Sequence, residues 1–256
     1  MKIVSLAPSN TEILFALGMG KYIEAVTRFC DYPDDAKFKK KVGGWLDIRT
    51  EIVEKARPDL VFTSNYLQSE IVERLHKAKL KVIHVDPRSL DEVYESILTI
   101  GDAVGKSERA AGLVDEMKRR LNSIAEKSRK RQKLRVYCEE WHKPPTVSGN
   151  WVPELLEISG AVSYCAKGKK SYEVEVDQIA KFNPHLAIIS WCGFGRRMDL
   201  KKVAMRPLWN KIPAFKNNRI FAIDDSFLNR PGPRLVEGAR QISAILDKIS
   251  SSHNNA

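Results

Sequence analysis

A helix-to-strand phrase is written twice in this chain, and nothing else constrains the fold so tightly. The first copy is Glu51-Ile52-Val53-Glu54-Lys55-Ala56-Arg57-Pro58-Asp59-Leu60-Val61-Phe62-Thr63-Ser64; the second, 126 residues later, is Asp177-Gln178-Ile179-Ala180-Lys181-Phe182-Asn183-Pro184-His185-Leu186-Ala187-Ile188-Ile189-Ser190. Each copy opens with a carboxylate on a short amphipathic helix, breaks at proline, and enters an apolar strand ending in serine, the pattern of a βα unit in a parallel sheet. One α/β lobe built twice is the expected architecture, with ligand bound in the cleft between the two copies.

A chain of 256 residues with 43% apolar content can bury two such cores. Its longest apolar runs, such as 186–189, fall far below the roughly 18 residues that span a bilayer. Met1-Lys2 passes directly into Ile3-Val4-Ser5-Leu6 with no apolar leader, so the sequence as written reads as cytoplasmic, an exported mature form being the alternative. Cys30, Cys138, Cys165 and Cys192 lie far apart and contain no C-x-x-C pair, which favours free thiols over a disulfide scaffold. The net charge of +11 sits mostly in runs such as 37–41, 118–120 and 127–133. Without a reading module or interleaved stacking aromatics, these are solvated faces, and nucleic acid is not expected as a partner.

Strands at 2–7, 25–27, 60–63 and 81–85 alternate with helices at 11–17, 51–56 and 70–77 in the first lobe. Ser9 followed by Glu12 reads as a capping box opening the first helix. From residue 90 the period becomes helical, with starts at Ser89/Asp91 and Ser107; Ala110, Leu113, Val114, Met117, Leu121 and Ile124 form the apolar stripe of one long, stiff helix. The second lobe holds strands at 134–138, 186–190 and 219–222, with helices at 152–159, 177–182, 200–205 and 234–249. The fold class is α/β: two lobes, each a mostly parallel sheet with flanking helices, joined by a long connecting helix. The expected boundaries are 1–88, 89–133 and 134–256.

Ligands of open α/β sheets bind beyond the carboxyl ends of the strands. The loops expected there collect the unusual residues: Phe29-Cys30-Asp31-Tyr32-Pro33, Gly43-Gly44-Trp45, Trp141-His142, Ser148-Gly149-Asn150-Trp151, residues 191–197, and 224–234 with Asp225 and Arg230. Together the aromatics favour a flat, largely apolar ligand held by ring faces. His142 could act as an axial ligand to cobalt or haem iron. His84 and His185, on strands, read as satisfied interior histidines, and the five histidines form no metal cluster. No G-x-S-x-G, phosphate loop, H-E-x-x-H or dinucleotide fingerprint is present, so no enzyme is expected.

Over residues 3 to about 249 the chain resembles the vitamin B12-binding proteins of cobalamin ABC importers, members of the helical-backbone substrate-binding family that also carries siderophores, haem and metals. The resemblance rests on Ser5-Leu6-Ala7-Pro8-Ser9-Asn10-Thr11-Glu12, Asp31-Tyr32-Pro33, Gly43-Gly44-Trp45, Arg57-Pro58-Asp59-Leu60-Val61, Thr146-Val147-Ser148-Gly149 and Arg230-Pro231-Gly232-Pro233-Arg234. It implies that Phe29 and Trp45 contact a corrin. Asp225 and Arg230 match a polar pair near the ligand, with a one-residue gap. Glu51 and Asp177 match the carboxylates that dock the lobes on permease arginines, although Asp replaces the family's second residue. With Tyr32, Trp141, His142 and Trp151 from the loops, these complete the expected site.

The expected function is capture of cobalamin or a related corrinoid for ABC-type uptake, as a monomer, with the corrinoid as ligand and no resident cofactor. Alternatives are haem or a ferric siderophore on the same fold, or a cytoplasmic accessory protein or enzyme of corrinoid or tetrapyrrole handling.

Overall fold

The computed structural model describes residues 1–195 and 197–253. The chain divides into two compact units, one of Met1–Pro87 with Asp91–Glu116, the other of Arg88–Leu90 with everything from Met117 onward.

In the first unit, β1 (Ile3–Ser5), β2 (Ile23–Val26), β3 (Lys40–Lys41), β4 (Leu60–Ser64) and β5 (Val82–Val85) form one sheet in the order β3-β2-β1-β4-β5, every pair parallel. Central β1 and β4 are buried throughout, as strands covered on both faces must be. Val4, Leu6, Ala25 and Val61 pack with Val53 of the Thr50–Ala56 helix and with Ile71 and Leu75 of the Ser69–Lys77 helix. The first helix runs Pro8–Ala16, three residues earlier than the sequence pattern suggested, and Ala7 rather than Ser9 is its N-cap. The capping-box expectation is therefore corrected. Proline's fixed φ and missing N–H suit the first helical position, so the helix starts at Pro8 and draws Ser9 and Glu12 inside it.

The second unit holds β6 (Leu134–His142), β7 (Pro145–Val147), β8 (Ala161–Ser163), β9 (Tyr172–Glu173), β10 (Leu186–Ile189) and β11 (Ile220–Ala222). β8, β6, β10 and β11 pair in parallel. That order repeats β2-β1-β4-β5, so the written repeat is also a repeated topology. β6 runs four residues beyond the expected 134–138, because its distal half pairs antiparallel with β7, which in turn pairs with β9; the sheet is thus mixed.

The two phrases fold alike. Their helices, Thr50–Ala56 and Val176–Phe182, each bury one apolar residue completely, Val53 and Ile179. Both end in a left-handed residue, Arg57 (φ 46°) and Asn183 (φ 56°), immediately before the proline. A left-handed C-terminal residue satisfies last-turn carbonyls, and the following proline prevents continuation. Downstream of β5, helices Leu90–Ala103 and Ser107–Ser128 follow. The second is continuous across the boundary between the units, its residues to Glu116 grouping with the first and from Met117 with the second.

Candidate functional site

Because every strand of the first sheet is parallel, the loops after β2, β3 and β4 emerge at one edge. They carry large apolar side chains in solvent: Phe29 (43% exposed), Tyr32 (48%), Leu46 (51%), Tyr66 (46%) and Leu67 (51%), with Trp45 half-buried among these loops. Isolated exposed apolar residues are ordinary, but five on the loops of one sheet edge make that edge a candidate binding surface.

These loops are held from below. Gly43 (φ +130°) adopts a conformation that side chains rarely take, and a Cβ there would meet the Asp47 carbonyl oxygen at 2.3 Å. A Cβ on Gly44 would fall 2.4 Å from the Arg28 guanidinium and 2.2 Å from the Asp47 carboxylate. Those two side chains form an ion pair that ties the loop after β2 to the loop after β3, and the Arg28 guanidinium holds the Asp47 carboxyl below its usual range. Fully buried Gln68 donates to the carbonyls of Leu6 and Trp45, both at 3.0 Å, and accepts from Ser64 N–H at 2.9 Å, clamping the backbone of Trp45. Polar residues of the Ser5–Glu12 segment face inward as well. Thr11 Oγ1 donates to Ser5 Oγ at 2.8 Å and touches Cys30 Sγ at 3.1 Å, and Asn10 Nδ2 donates to the Thr63 carbonyl at 2.9 Å. Burial pushes the Cys30 thiol up, which makes it an inert brace.

In the second unit, Trp141 and His142 end β6 and project beyond β10. His142 stacks on Trp191 (4.7 Å between centroids, 34° between planes), while Phe194 meets the edges of Trp141, His142 and Trp191 at 6.0, 5.5 and 5.4 Å. Under this cluster lies Glu139, wholly buried and fully hydrogen-bonded. Its carboxylate accepts from Tyr137 Oη (2.9 Å), Trp191 Nε1 (2.8 Å) and both terminal nitrogens of Arg206 (2.8 Å each). Four donors on one buried carboxylate meet the requirement for holding a charge away from water. The Arg206 guanidinium also lies over Trp191 and Trp209 at 5.3 and 4.8 Å.

The remaining expected residues fall in different settings. Trp151 is only 6% exposed and donates its indole N–H to the Leu228 carbonyl at 2.7 Å, so it is an internal residue and presents no ring face. Asp225 is 8% exposed and accepts from the N–H groups of Gly193 (3.0 Å) and Gly195 (2.8 Å), fixing the loop after β10. Arg230 is half-buried downstream of Asp225. Glu51 and Asp177 are exposed, each at the second residue of its helix, in equivalent places of the two units. His84 is not interior: it stands exposed on edge strand β5, with Nδ1 2.9 Å from Thr63 Oγ1. Half-buried His185 accepts from Arg135 N–H through Nδ1 at 2.8 Å.

Glu139, Arg206 and Gln68 escaped sequence reasoning. A second acid within the apolar run Val136-Tyr137-Cys138-Glu139-Glu140 was the one available sign that a cation must arrive from elsewhere. Among the described residues no group of three or more His, Cys, Asp or Glu is placed to hold a metal ion, and no helix is long and apolar enough to cross a membrane.

Duplicated α/β units with aromatic loops at their strand ends define a ligand-binding protein built on two lobes. The chain belongs to the periplasmic binding protein family, the substrate-binding proteins of ABC importers, whose family model matches residues 3–227. An uncharacterized ABC transporter substrate-binding lipoprotein of Bacillus subtilis, YvrC, is 34% identical over 94% of this chain and 78% of its own length. The vitamin B12-binding protein of Vibrio campbellii is 27% identical over 94% of this chain and 87% of its own. The crystal structure of a possible iron-binding (periplasmic solute-binding) protein from Staphylococcus epidermidis superposes with a TM-score of 0.81 at 31% identity, covering 96% of this chain and 98% of that one.

Proposed function

We propose that this chain captures cobalamin or a related corrinoid and delivers it to an ABC permease. The observation that carries the reading is the exposed set Phe29, Tyr32, Leu46, Tyr66 and Leu67 around half-buried Trp45 on one sheet edge. So much flat apolar surface suits a broad, ring-shaped ligand bound through its faces, with a few polar groups fixing orientation. Arg230 is proposed as one such group. Similarity to the vitamin B12-binding protein of Vibrio campbellii supports the same choice. Glu51 and Asp177 are the proposed docking carboxylates for the permease, and the Bacillus subtilis lipoprotein relative supports action outside the cytoplasm. A ferric siderophore is the second reading, favoured by likeness to the possible iron-binding protein of Staphylococcus epidermidis.

Trp45→Ala tests the stacking role. Removing a stacked ring should weaken cyanocobalamin binding by about 1–3 kcal/mol, because the lost apolar contact has no substitute. Calorimetry returning the parent's affinity for Trp45→Ala would exclude Trp45 from the site.

A further inference from the structure

A cavity of about 390 Å³ lies within the first unit, at the amino ends of β1 and β2 and so at the sheet edge opposite the aromatic loops. Buried Met19 and Val104, with half-buried Tyr22, supply its apolar wall. Lys21 and Lys106, both exposed, line it as well, and among the described residues no carboxylate does. The Met1 ammonium also reaches the cavity, but it lies 3.6 Å from Asp59 and is left out of the count. Arg109 adds a third cation on the Gly18 side. Its Nε donates to the Ala16 carbonyl at 2.9 Å, and its Nη1 stands 2.8 Å from the place a Cβ on Gly18 would take. Gly18 lines the cavity in a left-handed conformation (φ +78°), and its lack of a side chain admits the guanidinium.

These cations are not spent on the fold. Two helices, Pro8–Ala16 and Leu90–Ala103, end at the cavity, and helix ends attract cations because they expose carbonyls and carry about half a negative charge each. Here the carbonyls are satisfied from within. Those of Ile13, Leu14 and Phe15 accept from Leu17, Met19 and Gly18 N–H, all at 2.9 Å, and that of Ala16 accepts from Arg109. In the second helix Ile100, Gly101 and Asp102 accept from Val104, Lys106 and Gly105 N–H at 3.3, 2.7 and 3.0 Å. Among the described residues neither ammonium, nor the terminal nitrogens of Arg109, pairs with a carboxylate; Lys21 Nζ lies 4.9 Å over the adjoining Tyr22 ring. Three positive charges therefore face about one negative charge from the two helix ends, and the excess is open to an anion.

We infer that this cavity is a binding site for a phosphate group, with Lys21, Lys106 and Arg109 as its ligands. A guanidinium fork grips two phosphate oxygens at once, and lysines serve the same anion as point charges. After its bond to Ala16, Arg109 keeps four of its five N–H groups for that purpose. At about 390 Å³ the space falls within the range of small-molecule sites and exceeds a lone phosphate, which leaves room beside Tyr22 for whatever carries the group. The carrier is a free polyphosphate or the headgroup of an anionic lipid. The inference is independent of the corrinoid reading and of the loops on which that reading rests.

The probe is inorganic pyrophosphate, titrated into the full chain at low ionic strength and followed by calorimetry. Saturable one-to-one binding with a dissociation constant on the order of 1 mM or tighter is expected for a small, solvent-facing anion site. Lys21→Glu with Lys106→Glu should weaken it about ten-fold, and because both side chains are exposed the fold is untouched. Lys127→Glu with Lys130→Glu, an equal change of net charge at exposed positions of the second unit, should leave the affinity within about two-fold of the parent's. Absence of saturation, parental affinity in the Lys21/Lys106 variant, or an equal loss in the Lys127/Lys130 variant would each overturn the site. Co-sedimentation with phosphatidylglycerol and with phosphatidylcholine vesicles separates the sources. Retention on phosphatidylglycerol alone, lost in the Lys21/Lys106 variant and displaced by pyrophosphate, assigns the site to a lipid headgroup; pyrophosphate binding without such retention assigns it to a free phosphate.

Discussion

Trp45 is held without being used up. Gln68 clamps its backbone, the Gly43–Gly44 turn admits the Arg28–Asp47 pair beside it, and its ring stays half-exposed. The late arginines divide in a similar way. The Arg234 guanidinium lies 5.2 Å over the Phe227 ring, a packing contact at the start of the closing helix, whereas Arg230 stands in the loop proper. Arg230→Ala should therefore lower cyanocobalamin affinity by roughly 1.5–3 kcal/mol, as expected for a hydrogen bond to a charged group, with the melting temperature nearly unchanged. Arg234→Ala should lower the melting temperature and spare affinity. Paired calorimetry and thermal melts decide, and the reverse pattern would place Arg234, not Arg230, at the ligand.

Helix and strand positions along the repeat could be read directly from the chain, because each copy carries its own stop signal, a proline after a left-handed residue, and its own buried anchor, Val53 or Ile179. The aromatic loops were legible for a related reason: they follow strand ends. What was illegible was non-local or very short. β7 and β9 are strands of three and two residues, below any periodicity, and they exist because β6 overruns β10. Trp151 looked like a cleft aromatic from its loop position, but its burial depends on Leu228, 77 residues away. Glu139 and Arg206 are 67 residues apart, and neither predicts the other. Their pair has a measurable consequence at this scale. Arg206→Leu leaves a buried carboxylate without its cation and should destabilise the chain by about 3–5 kcal/mol in urea unfolding. Adding Glu139→Gln should recover part of the loss. An unchanged midpoint for Arg206→Leu would show that Glu139 does not need this partner.

Across the molecule, the duplication gives each unit one exposed carboxylate at the second residue of equivalent helices, Glu51 and Asp177. As helix N-terminal acids, each contributes only about 0.3–1 kcal/mol to stability, so both can be reversed without unfolding the chain. In proteoliposomes with a cognate permease, Glu51→Lys with Asp177→Lys should abolish stimulation of ATP hydrolysis and leave ligand affinity as it was. Stimulation equal to the parent's would remove both residues from docking. Ligand identity is the central claim, and titration of the purified chain with cyanocobalamin, haem and a ferric siderophore, read by tryptophan fluorescence, tests it most directly. The account predicts one-to-one saturation with cyanocobalamin at a lower concentration than with either competitor. Saturation by haem or the siderophore with no response to cyanocobalamin would contradict it.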